Sequence, residues 1–287
     1  MAVSKQSADM SNVRVYTPHK AGLPDLREYF TELWKRRDFA KELSDTNMRA
    51  SNTNTVLGQL WLVLNPLMLA GVYYLLIFII SGSKTADFAQ ITSGLFLFFF
   101  ISGVITSCAT SVTNAGSLIL NMNFPKSLLI MSNLYLSLRR FAPTMLVYLV
   151  IHVIFRKPWT LSLLWLPVVV VLASMISSGI GAIVATWHVY FRDTAQFLPY
   201  FIRVWLYLSP VLYSAEEFVT KFGNHPLGKF AQFVNPLFGP LGMWSDALAG
   251  HHVPWHYVAI AVAWAVLLFF GGLLYFISRE RDFAVRL

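Results

Sequence analysis

Side chains able to do chemistry are scarce in this 287-residue sequence, and their spacing excludes most reactions. His251, His252 and His256 include a pair four residues apart, a zinc-like helical spacing, but no glutamate accompanies them and Pro254 interrupts any helix between them. No acidic pair and no Ser-His-Asp set stands inside an apolar run, so neither a metal site nor a catalytic residue is expected. Gly82-Ser83-Lys84-Thr85 has a superficial likeness to a phosphate-binding loop but lacks the preceding glycine, and it cannot cradle a nucleotide. The single cysteine, Cys108, lies in an apolar run, which leaves packing as its role.

One polar group is harder to dismiss. Arg203 sits inside a long apolar run that follows a short charged turn, Tyr190-Phe191-Arg192-Asp193-Thr194. At the centre of a lone membrane helix an arginine costs roughly 2.5 to 3.5 kcal/mol on insertion scales, so it should face a partner, a wet cavity or headgroups. On a helical wheel Tyr200, Arg203, Tyr207 and Ser214 fall near one face, with Ile202, Val204 and Leu206 opposite. Trp61, Asn65, Leu69 and Tyr73 likewise share a face in the first apolar run. The second run is aromatic early (Phe96, Phe98, Phe99, Phe100) and hydroxyl-rich late (Thr106, Ser107, Thr110, Ser111).

The elements that must position these groups are membrane helices. The chain is 56% hydrophobic and 13% charged, about half the charge of a soluble domain, and its apolar runs have the roughly 20-residue length that crosses a bilayer as helix. The fold class expected is an all-α integral membrane protein with six transmembrane helices near 56–81, 88–112, 138–155, 161–187, 197–213 and 255–278. Residues 1–23 read as a polar tail without a signal peptide. A basic amphipathic helix over 24–43 follows, with Leu26, Tyr29, Phe30, Leu33 and Trp34 on one face, suited to lying on a membrane surface or packing on a partner. Residues 1–55 thus form a tail and interface helix, and 56–287 the transmembrane domain.

The net charge of +8 follows membrane orientation rather than nucleic-acid binding. Sixteen Lys and Arg fall on the side of the two termini and five on the other, with Arg203 in between, so both termini are expected in the cytoplasm. In the fourth run Ser174, Ser178 and Ala182, and beside them Ser177, Gly181 and Ala185, form small-residue rows that let helix backbones approach. Between the fifth and sixth runs, 227–234 and 235–248 are apolar but too short to span, and short re-entrant or interfacial helices are expected over about 227–249. No internal repeat is present.

Several of these features recur in order in one family. Asp38 follows basic residues, Leu57-Gly58 precedes Asn65-Pro66, and the piece between the second and third runs has an Asn123-Phe124-Pro125-Lys126 core. The Arg192-Asp193 turn, Asn235-Pro236 and a charged ending with Phe283-Ala284 come after. In this the chain resembles permease subunits of ABC exporters of the polysaccharide, O-antigen and teichoic acid branch, the Wzm type. The segment before the first run, 44–55, departs from the family in being Asn/Thr-rich rather than basic.

The resemblance implies a homodimer in the bacterial plasma (inner) membrane that exports a lipid-linked cell-envelope polysaccharide. ATP and Mg would be held by two copies of a separate ATPase subunit. The segment at about 114–131 would couple the two, with Asn123, Phe124, Pro125 and Lys126 at the contact, and Arg192 and Asp193 would form a cytoplasmic turn. Trp61, Asn65, Tyr73, Phe96, Tyr200, Arg203 and Tyr207 would line the transport route, where aromatic faces meet the C–H faces of sugars. Arg203, Arg139 and Arg140 offer charge to a pyrophosphate headgroup, or Arg139 and Arg140 serve as positive-inside anchors. The alternatives are an ABC permease for a drug or simpler lipid, and a non-transporting membrane scaffold or enzyme subunit.

Overall fold

A computed structural model describes residues 23–51, 58–81, 87–223 and 225–287. The expectations for the polar tail up to residue 22, for residues 52–55, for Val56 and Leu57 at the start of the first span, and for Gly82-Ser83-Lys84-Thr85 lie outside the described residues. Every regular element among the described residues is a helix. The order is α1 (Leu26–Lys35), α2 (Arg37–Ser51), α3 (Trp61–Ser81), α4 (Phe88–Ala109), α5 (Ser111–Asn114), α6 (Gly116–Asn121) and α7 (Ser127–Ile154). It continues with α8 (Trp165–Tyr190), α9 (Thr194–Leu208), α10 (Ala215–Phe222), α11 (Pro226–Val234), α12 (Phe238–Ala249), α13 (Trp255–Arg279) and α14 (Phe283–Arg286).

Five of these, α3, α4, α7, α8 and α13, are long and apolar enough to cross a membrane, and the chain is a multi-pass membrane protein. Helix α4 is the axis of the bundle: 72% of its span is buried, against 11% for α3, which lies at the periphery. Asp87 starts α4 by accepting from the backbone N–H of Ala89 (3.0 Å) and Gln90 (3.3 Å), and its carboxylate also pairs with Lys157 at the far end of α7. Helix α8 packs on α4 and α13 through its small residues. A Cβ at Gly181 would press on Cys108 of α4, and one at Gly179 would collide with the Leu268 carbonyl of α13, while Gly272 faces Gly179 in return. The small-residue rows mark the interface as expected, and Cys108 is a buried packing residue within it.

Four boundaries differ from the sequence reading. The amphipathic segment is two helices rather than one, since the backbone leaves helical geometry at Arg36 (φ −99°, ψ 13°) and α2 sets off separately against α7. The third span begins at Ser127, just after Pro125, instead of at residue 138. Its 28 residues run about 42 Å. Ser132, Asn133, Ser137, Arg139 and Arg140 dilute the hydropathy of its first half without breaking the helix, so Arg139 and Arg140 lie mid-helix and not near its end.

The fifth apolar run is helical only to Leu208, because the chain turns out at Ser209-Pro210, and α9 is 15 residues long. Ser214 therefore leaves the Tyr200 face. Together with Glu217 it forms a capping box at the start of α10, a helix not among those expected from the sequence.

Both described ends of the chain meet at one face of the bundle, called here the terminal face. At the opposite face α10, α11 and α12 lie between α9 and α13 in the chain, α11 and α12 at the positions expected for short helices over about 227–249.

Candidate functional site

The terminal face is built around a carboxylate. Glu280, one residue beyond α13, is 7% exposed and accepts from the Lys126 backbone N–H (2.8 Å) and from the Tyr29 hydroxyl. The Lys126 ammonium stands 3.7 Å away, and the Tyr29 and Ser127 hydroxyls are 2.8 Å apart. Burial and the neighbouring Glu280 charge push the Tyr29 phenol up, so it stays a proton donor. Three pieces remote in sequence, α1, the start of α7 and the chain end, are thereby tied at one point.

The segment Asn123-Phe124-Pro125-Lys126 enters this point from α6. Phe124 is buried, its ring 5.4 Å from that of Phe39 on α2, and Pro125 is buried beside it. The Arg36 guanidinium donates to the Asn123 carbonyl (2.7 Å). Phe124, Pro125 and Lys126 thus face inward, where the sequence reading had them at a partner's surface. What projects outward is the turn before them: Leu120 is 61% and Met122 48% exposed, with Asn121 and Asn123 exposed alongside. The tip of this short helix is thus an exposed apolar pair rimmed by amides.

The Arg192-Asp193 turn borders the same face. Both residues are exposed, and the preceding Tyr190 donates its hydroxyl to Asp282 (3.0 Å) while the Arg286 guanidinium lies over its ring at 4.2 Å. The chain end therefore holds both the Lys126 segment and the turn that opens α9. On the outer side of α1, Phe30 and Trp34 remain exposed, the apolar stripe of a surface-lying helix.

The seven route residues fall into two groups. Trp61 and Asn65 of α3 and Phe96 of α4 line a cavity of about 240 Å³ together with Arg140 of α7. Phe96 is nonetheless 1% exposed, and Phe98 and Phe100 are buried, so the early aromatics of α4 are mainly core. The late hydroxyls turn back on their own helix, Thr106 to the Ser102 carbonyl (2.7 Å), Ser107 to that of Gly103 (2.7 Å) and Ser111 to that of Cys108 (2.7 Å).

Tyr73 of α3 and Tyr207 of α9 form the second group, with hydroxyls 3.1 Å apart and rings edge to face at 6.2 Å. Arg203 and Tyr200 share the exposed face of α9, and Arg203 has no ion-pair partner among the described residues. Opposite them Leu206 is buried and Ile202 half-buried, but Val204 is exposed, so the inward face is narrower than the wheel suggests.

At the opposite face Asn235 answers the break after α9. Its Nδ2 donates to the freed Leu208 carbonyl (3.1 Å) and the Ser209 hydroxyl (3.0 Å), and its Oδ1 accepts from Trp205 Nε1 (2.9 Å) and the Leu237 N–H (3.0 Å). All four hydrogen-bonding positions of the amide are used. Trp244 of α12 donates to the Ser93 carbonyl of α4 at 3.1 Å, and Asp246 on the same helix is 7% exposed. Sequence reasoning missed Asp246 as a buried carboxylate, although it stands inside the apolar stretch read as a short helix. His251 approaches Glu216 at 3.9 Å, and the His256 ring rests on Tyr257 at 4.2 Å.

No family model matches the chain. Two curated proteins of Klebsiella pneumoniae, each named O-antigen export system permease protein RfbA, are 24% identical to it over 250 residues, which cover 86% of this chain and 94% of the relative. A protein of the same name from Myxococcus xanthus is 23% identical over 255 residues, 88% of this chain and 96% of its own length.

Proposed function

We infer that this chain is the transmembrane permease subunit of an O-antigen-type ABC exporter, which carries a lipid-linked cell-envelope polysaccharide across the membrane. The observation that carries the reading is the near full-length similarity to proteins named as O-antigen export permeases, in an all-helical chain with five helices long and apolar enough to cross a membrane. A permease of an export system works with an ABC ATPase; this chain itself supplies the membrane route.

The finer reading assigns parts. The terminal face lies in the cytoplasm, in keeping with its share of the basic residues, and the membrane is the bacterial plasma membrane. The exposed tip of α6 and the following Asn123 dock on the ATPase, with ATP and Mg on that partner. Phe124, Pro125 and Lys126 transmit its motion inward, because Lys126 is bonded to Glu280 and through it to Tyr29. Two copies pair so that Tyr73, Tyr200, Arg203 and Tyr207 border the route between them, which gives the exposed α9 face and the peripheral α3 a neighbour. ATP binding shifts the pair between closed and open routes.

The test is co-purification of the full chain with the ATPase encoded beside it, followed by ATPase assay with and without lipid-linked glycan. A complex of two permeases and two ATPases stimulated by the glycan is the expected result. A chain that binds no ATPase would return the problem to a scaffold or enzyme-subunit role, and stimulation by a simpler lipid or drug instead would reassign the substrate.

A further inference from the structure

The cavity between α3, α4 and α7 is lined by a cation, Arg140, that has no ion-pair partner among the described residues. Arg140 projects from the middle of α7, and its Nε is fully enclosed without a hydrogen-bond partner. The adjacent Arg139 takes Asp45 of α2 as its partner, while no Asp or Glu lines the cavity. The wall around Arg140 is made by Trp61, Asn65, Phe96, Gly103 and Ser137, so one fixed positive charge faces an amide, a hydroxyl and aromatic rings. Arg140 is half-buried with its Nε enclosed and unbonded, a placement in a membrane helix that an anion would complete, and the planar fork of the guanidinium matches phosphate oxygens.

We propose that this cavity is a binding site for the phosphate-type headgroup of a membrane lipid, with Arg140 as its charge partner, Asn65 and Ser137 as its hydrogen-bonding rim, and Trp61 against the carbon beyond the phosphate. Resting on the exporter reading, the lipid is the diphosphate carrier of the exported glycan, received here from the half of the bundle that bears the terminal face. The first turns of α3, where Trp61 and Asn65 lie, and the exposed backbone of Gly103 leave the cavity open at its side. Arg203, on the outer face of α9, belongs to a separate surface.

Binding is read by native mass spectrometry and tryptophan fluorescence on the purified full chain in detergent, with farnesyl diphosphate, farnesol and phosphatidylglycerol as probes. Farnesyl diphosphate is expected to bind and farnesol not. Arg140→Gln should weaken binding about tenfold or more, the loss expected for a charge-assisted contact, with Arg140→Lys in between. Gly103→Leu provides the control against misfolding: nothing stands near a Cβ there, so the fold is kept while the added side chain fills the cavity and leaves Arg140 untouched. It should abolish binding as well.

Equal binding of phosphatidylglycerol, lost in the same variants, keeps the anion site and makes its occupant a bulk phospholipid. Farnesyl diphosphate binding unchanged in both Arg140→Gln and Gly103→Leu, or absent from the native chain, overturns the proposal. Because no ATPase is present in this assay, its failure is distinct from failure of the exporter reading.

Discussion

The Tyr29 hydroxyl donates to the Glu280 carboxylate across 251 residues of chain, and this bond closes the terminal face of the bundle. Glu280 simultaneously holds the Lys126 N–H and ammonium, so the interface helix, the segment after α6 and the end of α13 move as one piece.

Removing the carboxylate should cost more than removing any donor to it. Glu280→Ala leaves the Lys126 ammonium and two further donors without their acceptor in a buried setting, for an expected loss of about 3–5 kcal/mol. Tyr29→Phe deletes one donor and should cost about 1–2 kcal/mol. Thermal unfolding of the purified chain in detergent measures both. A Glu280→Ala variant that melts with the wild type would show that this junction holds nothing together.

Burial separates two roles within the segment around Phe124. Leu120→Asp or Met122→Asp changes only exposed surface and should lower retention of the ATPase in pull-down while leaving the melting curve of the permease in place. Phe124→Ala empties a buried site beside Phe39 and should cost about 3–5 kcal/mol of stability. The reverse pattern, normal retention with Leu120→Asp, would remove α6 from the docking surface.

Much of the fold was legible because lipid imposes it: apolar runs of spanning length, small-residue rows on α8 and the short return helices all follow from hydropathy and spacing. Boundaries failed where polarity and helix-breaking part company. Arg139 and Arg140 end a hydropathy window but do not end a helix, while Ser209-Pro210 ends α9 within a run that remains apolar. The site was less legible, because Tyr29, Lys126 and Glu280 belong to segments that look unremarkable one by one. Tyr29 reads as part of an apolar stripe and Glu280 as one charge among several, and only tertiary packing buries both. Asn235 shows the same limit: its position was visible, but its need for four partners arises from the break at Leu208.

If the outer face of α9 borders the route, substitutions on it separate assembly from transport. Arg203 is exposed and has no ion-pair partner among the described residues, so Arg203→Ala should reduce glycan export several-fold at unchanged membrane protein levels. Tyr207→Phe, which removes the hydroxyl facing Tyr73, should have a smaller effect in the same direction. Surface glycan normalised to permease abundance is the measurement, and normal export by Arg203→Ala would take that residue out of the route.

Helix proximity at α8 and α13 should be intolerant of a single methyl group. Gly179→Ala drives a Cβ into the Leu268 carbonyl, where backbone rather than a flexible side chain must yield, and the expected cost is about 1–3 kcal/mol. Gly71→Ala on the peripheral α3 meets nothing and should be neutral or slightly stabilising, since alanine is the better helix former. Comparing the two melting temperatures isolates packing from propensity. Equal stability of the two variants would contradict the close approach.

Asp246 gives the opposite face a pH dependence of definite sign. Burial on α12 pushes its carboxyl up to about 6, Glu216 adding to the rise and His251 opposing it. The folded chain therefore holds this proton more tightly than the unfolded chain does. The associated stability is fully present below about pH 4, where both states are protonated, and is lost as pH rises through about 6, where the buried carboxyl must ionise. Asp246→Asn keeps the shape and removes the titration. Its melting temperature should match the wild type near pH 3 and exceed it near pH 7, with the difference opening between about pH 4 and pH 6. Parallel curves for the two proteins across that range would mean that Asp246 ionises in the fold as freely as in water.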